Sequence, residues 1–95
     1  MPSVRLTPRA RADLESIWLY TRRKWSEAQA DEYYSILVDT FATLLLNDQS
    51  GIPVDVRPGY RKLLSGSHVV YFRRITDGVE IVRILHQAMD VRRHL

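Results

Sequence analysis

At 95 residues, 45% apolar and 26% charged, the chain is the size of one domain with a single modest core, too short for two. Zero cysteines exclude disulfides and thiolate metal sites, and no apolar run approaches the roughly 20 residues of a membrane span. The net charge of +3 is uneven: residues 1–56 carry six Lys/Arg against eight Asp/Glu, and residues 57–95 carry eight against three. The basic C-terminal half should attract an anionic surface, whether nucleic acid or an acidic protein segment.

The opening MPSVRLTPRA has no apolar stretch of the signal-peptide kind, so a cytoplasmic protein is expected. Ser3 to Leu6 alternates as a short extended segment. Thr7-Pro8 then reads as a helix start, with Thr as N-cap and Pro at the first helical position, where no amide donor is needed. Leu14, Ile17, Trp18, Thr21 and Trp25 recur at helical spacing and predict one buried stripe. Arg22, Arg23 and Lys24 fall in the last turn, where cations suit the negative end of the helix dipole.

Ser26 and Gln29 form a capping-box pair that opens a second helix. Its apolar positions, from Ala30 through Tyr33, Tyr34, Leu37 and Phe41 to Leu44 and Leu45, predict a helix running to about Asn47. With almost no linker between them, the two helices must fold back as an antiparallel hairpin. NDQSGIPVDVRPG is turn-rich and reads as the main loop.

After Gly59 the pattern changes to β-branched and aromatic runs at Tyr60–Leu64, Ser67–Ile75 and Val79–Leu85, with Asp77-Gly78 as a hairpin signal. The expected fold is α+β: a β-α-α-β-β-β domain whose helical hairpin lies on an antiparallel meander. Val70, Phe72, Val82 and Ile84 make a plausible helix-facing set. The opposite parity holds Val69, Tyr71 and Arg73 on one strand and Val79, Ile81, Arg83 and Leu85 on the next. A sheet with one wet face should alternate cleanly, and this one does not. Either the second face docks an amphipathic acidic partner, or the first strand, the long loop and the tail cover it. Arg83, in mid-strand among apolar residues, calls for a carboxylate in this chain or in a partner.

RLTPRARADLESIWLYT, AQADEYY, RPGYRKLLSGSHVVYFR and VEIVRILHQAMDVRRHL together resemble the ParE toxins of the RelE/ParE superfamily, from Val4 to Leu95 and in order. The resemblance implies the toxin half of a type II toxin–antitoxin module, a DNA gyrase target, and a ParD-like antitoxin whose C-terminal segment wraps the toxin. Any DNA contact would then come indirectly, through the antitoxin. On this reading Val69, Tyr71, Arg73, Ile81, Arg83 and Leu85 bind antitoxin, while Arg61, His86, Arg92, Arg93 and His94 contact the target. The second reading is a ribosome-dependent mRNA endonuclease of the RelE type, using His86 as base and Arg61, Arg73 and Arg83 on phosphate. Against it, the tail tyrosine and the sheet-face lysine or glutamate cluster of the RNA-cleaving relatives are missing. No catalytic residue is therefore assigned. The three histidines lack metal-ligand spacing, and neither a metal nor a cofactor is expected. In the tail, Met89 is expected to fold back, Asp90 to start a turn, and Arg92 to His94 to form an exposed basic tag.

Overall fold

The computed structural model describes residues 2–95. A five-stranded sheet in the order β1-β5-β4-β3-β2 carries a helical hairpin. The strands are β1 (Ser3–Leu6), β2 (Ile52–Pro53), β3 (Tyr60–Ser65), β4 (His68–Ile75) and β5 (Gly78–His86). The helices are α1 (Pro8–Lys24), α2 (Glu27–Leu46) and a short α3 (Val91–His94).

Both long helices start where their caps put them. The Thr7 side chain accepts from the Ala10 amide at 3.0 Å, and Ser26 accepts from the Gln29 amide at 3.1 Å. At the other end of α2, Arg74 of β4 donates to the carbonyls of Leu44 and Asn47, supplying a cation where the dipole is negative. Ala10, Leu14, Leu37, Phe41 and Leu44 meet Val70, Phe72, Val79, Ile81 and Ile84 in the main core. Fully burying a residue such as Leu37 or Phe72 contributes about 1.5–3 kcal/mol.

The antiparallel meander is present, but β1 joins it as a parallel edge strand on β5, with Val4 beside Val79 and Leu6 beside Ile81. That approach is close: a Cβ on Gly78, whose φ is +142°, would lie 2.0 Å from the Ser3 carbonyl oxygen. Glycine at this position lets the first strand dock.

Strand β5 does not keep one parity. Tyr71 pairs with Arg83 while Phe72 pairs with Ile81, so Val82 is the extra residue of a bulge. The bulge corrects two expectations at once. Ile81 and Val79, assigned to the outer face, point into the main core with no exposed surface, and Val82, assigned inward, is only half-buried. A bulge also orphans backbone groups, and α1 satisfies them. Thr7 donates its hydroxyl to the Val82 carbonyl at 2.8 Å, and Asp13 accepts from the Ile84 amide at 2.9 Å.

The centre of the outer sheet face is covered by the chain itself. Val54, Tyr71 and Leu85 form a second small core, with Val56, Tyr60, Val69, Val91 and Leu95 packed around it. Tyr71 is 5% exposed and Leu85 2%. The long loop and the tail cover Tyr71 and Leu85, while β1 stays at the sheet edge; Ile52 and Leu64, at the β2–β3 side of the same face, remain 59% and 61% exposed.

Candidate functional site

Arg83 lies at the junction of sheet, helix and tail. It sends two hydrogen bonds of 2.8 Å to the two carboxylate oxygens of Asp13 and a third, of 3.0 Å, to the His94 carbonyl. The pair is mostly buried, with side-chain exposures of 15% and 14%. The hydrogen bond to Asp13 and its negative charge hold the Arg83 pKa above the ordinary guanidinium value, against desolvation. The carboxylate that the arginine required is thus in this chain, 70 residues upstream.

The other arginines assigned to a partner or target divide by burial. Arg73 pairs with Glu80 at 2.8 Å on an exposed part of the sheet, and that hydrogen bond raises its pKa. Arg61, expected to contact the target, donates to the Gly51 carbonyl at 2.7 Å and so anchors the long loop. Arg92 and Arg93 are exposed as anticipated, with carboxylates of Asp55 and Asp90 only at 4.0 Å. His94 is half-buried and its carbonyl is held by Arg83. The tail is therefore half tag and half structure. Asp90 caps α3 by accepting from the Arg92 amide, whereas Met89, expected to fold back, is 49% exposed.

His86 ends β5 facing His68, the first residue of β4, with ring centroids 5.4 Å apart at 85°. Nδ1 of His68 lies 2.6 Å from the Tyr33 hydroxyl, and that hydroxyl oxygen accepts from the Ser67 amide at 3.0 Å. Burial lowers the His68 pKa, the neighbouring His86 lowers it further, and Asp13 partly opposes both. This cluster was not foreseen, because 17 positions separate residues that one strand pairing brings face to face. A neutral native His68 binds fewer protons than the unfolded chain once the pH falls below its ordinary 6.5. Stability should therefore be full above that pH and decline as the pH drops toward the lowered native pKa. The melting temperature of wild type should fall more between pH 7 and pH 5 than that of His68→Asn, which keeps an acceptor for Tyr33; parallel curves would refute the effect.

Among the described residues, no group of three or more His, Asp or Glu is placed to hold a metal ion, and no helix is long and apolar enough to cross a membrane.

A large apolar concavity lies on the helical side. A groove of about 820 Å³ runs between α1, α2 and β1, lined by Val4, Leu6, Trp18, Tyr34, Val38 and Leu45 among others. Trp18 is fixed there by a 3.0 Å hydrogen bond from its indole N–H to Asp31, while Tyr34 and Val38 remain 43% and 39% exposed. Beside the groove, β1 is an edge strand with its outer side unpaired among the described residues. Sequence periodicity missed the groove because it counts Tyr34 as a core position.

A helical hairpin capping a mixed sheet, with an open groove along the first strand, defines a small α+β fold. The model of the family "ParE toxin of type II toxin-antitoxin system, parDE" matches residues 4–91. The chain is 43% identical to Toxin ParE1 of Caulobacter vibrioides over 96 residues, covering 100% of this chain and 99% of that one. It is 42% identical to Toxin ParE1 of Mycobacterium tuberculosis over 92 residues, covering 95% and 94%. A chain in a solved structure of the chromosomal ParDE TA system from P. aeruginosa superposes with a TM-score of 0.79 at 26% identity, covering 90% of this chain and 96% of that one. The protein belongs to the ParE family of toxins of type II toxin–antitoxin systems.

Proposed function

We infer that this chain is a cytoplasmic, non-enzymatic toxin that inhibits DNA gyrase, and that a ParD-like antitoxin neutralises it by occupying the groove between α1, α2 and β1. What supports the groove as the antitoxin site is its size and apolar lining, together with the cover that Tyr71 and Leu85 already have from within the chain. An amphipathic helix could lay its apolar side there, and an extended segment could pair with the free edge of β1. All the groove residues belong to the half of the chain with more acidic than basic groups, so this recognition is led by apolar contact. The basic half, with Arg92 and Arg93 exposed, stays free for the target.

The non-enzymatic reading is supported by where the arginines are. Arg61, Arg73 and Arg83 are engaged by Gly51, Glu80 and Asp13, while His86 faces His68, so the set needed for RNA cleavage is dispersed.

Two measurements test the proposal. Purified toxin should inhibit gyrase supercoiling and trap cleaved DNA; an unaffected enzyme, or codon-phased cuts in translated messages, would reject the gyrase assignment. Val38→Asp, which puts a charge in the groove at a side chain already partly exposed, should weaken antitoxin binding at least tenfold with an unchanged melting temperature. Unaltered affinity would move the antitoxin elsewhere.

A further inference from the structure

A second concavity, of about 540 Å³, opens at the far end of the hairpin, where the α1–α2 turn meets the β3–β4 turn and the end of β5. Its walls are unusual for a surface. Trp25 and Tyr20 are 64% and 59% exposed, although large aromatic rings normally seek cover. The Lys24 ammonium sits between them, 5.9 Å from the Trp25 ring centre and 5.7 Å from that of Tyr20. It donates to the Tyr20 hydroxyl at 3.3 Å, which leaves two of its three N–H groups for other acceptors.

The inner end of the concavity is built from the histidine cluster. Nδ1 of His86 accepts from the Ala88 amide at 3.1 Å, which puts the proton of the neutral ring on Nε2. Nδ1 of His68 faces the Tyr33 hydroxyl, whose alternative acceptor, the Ser65 carbonyl, is further away at 3.4 Å. Either the hydroxyl donates to Nδ1 and His68 carries its proton on Nε2, or Nδ1–H donates to the hydroxyl and the hydroxyl to the Ser65 carbonyl. Neither Nε2 has a partner among the described residues. The His86 imidazole N–H, the His68 ring, the Lys24 ammonium and two exposed aromatic rings thus line one hollow, with Glu32 and Gln29 beside them.

We propose that this hollow binds a nucleoside phosphate unit, either a free nucleotide or the end of a single strand. The base stacks on Trp25 or Tyr20, a contact that tolerates any base because every base has a π face. The phosphate takes the Lys24 ammonium and an imidazole N–H, which are charge-assisted donors to an anion. Glu32 accepts a hydrogen bond from a sugar hydroxyl or an exocyclic amine. The volume lies in the range of small-molecule sites. No bond is made or broken, and the site is independent of the gyrase assignment and of the antitoxin groove on the other side of the hairpin.

Isotope-labelled full-length protein should be titrated with deoxyadenosine monophosphate, with a short single-stranded deoxyadenosine oligonucleotide, and with inorganic phosphate alone. The nucleotide or the oligonucleotide should shift the His68, His86 and Trp25 indole resonances saturably, and inorganic phosphate should bind at least tenfold more weakly. Saturation by the mononucleotide identifies a free-nucleotide site, and saturation by the oligonucleotide alone identifies a strand-end site. Trp25→Ala and Lys24→Ala should each weaken binding about tenfold; both side chains are exposed, so the fold should persist, which a thermal melt checks. Absence of shifts at millimolar ligand, or affinities unaltered in both variants, would overturn the proposal.

Discussion

Asp13→Ala is expected to lower the melting temperature by about 15 °C or more, the largest effect of any substitution outside the main core. The substitution leaves the Arg83 guanidinium without its carboxylate and the Ile84 amide without its acceptor, and both lie on a strand covered from two sides. Removing one partner of a buried ion pair costs about 3–5 kcal/mol, and about 1 kcal/mol corresponds to roughly 4–8 °C in a domain of this size. Asp13→Asn keeps one oxygen acceptor and should fall between the two proteins. A double variant, Asp13→Ala with Arg83→Met, removes both charges and should be less destabilised than the two single variants added together. Thermal melts of wild type, Asp13→Ala, Arg83→Met and the double variant decide the matter: strictly additive losses would mean that the pair is not coupled, and a loss under about 1 kcal/mol for Asp13→Ala would put it with surface ion pairs.

That pair also marks where sequence reasoning stops. A cation in mid-strand among apolar residues demands a carboxylate, and this demand is visible in RILH without any coordinates. Which carboxylate answers it is a question of chain topology. Asp13 is reached only because β1 runs parallel to β5 and delivers α1 over the bulge. The bulge itself has no local signature: VEIVRIL alternates well enough in either parity. What stabilises the extra residue at Val82 is a hydroxyl and a carboxylate from the first turns of α1. Both helix starts, by contrast, were legible because an N-cap acts within three residues of itself, as Thr7 and Ser26 do.

The candidate sites follow the same division. Trp25 continues the Leu14, Ile17, Thr21 stripe on paper, yet it is the residue that ends α1, with φ −122° and ψ −85°, so its side chain leaves the stripe and reaches solvent. Periodicity holds only while the helix does. The apolar excess on the outer sheet face admits two readings in the sequence, a docked partner or cover from the chain itself, and around Tyr71 and Leu85 the chain supplies the cover. That cover is Val54, Val56, Val91 and Leu95, which are spread over a loop and a tail with no regular period of their own.

Deleting Val91 to Leu95 should therefore act first on stability. The deletion uncovers Tyr71 and Leu85 and takes the His94 carbonyl from Arg83. Two lost apolar contacts and one lost charged hydrogen bond are expected to cost about 2–4 kcal/mol together. The shortened protein should melt earlier and bind a hydrophobic dye at the exposed sheet face. It should lose more toxicity than antitoxin affinity, since the deletion removes Arg92 and Arg93 while the groove between α1, α2 and β1 contains none of the deleted residues. Arg92→Ala with Arg93→Ala removes only the exposed charges, whose nearest carboxylates are 4.0 Å away, and should leave the melting temperature where it was. If this double variant also arrests growth less strongly while still binding antitoxin fully, the two arginines face the target and the rest of the tail serves the fold. Undiminished growth arrest by a stable double variant would remove Arg92 and Arg93 from the toxic surface, and a deletion that melts like wild type would show that the second core does not depend on its cover.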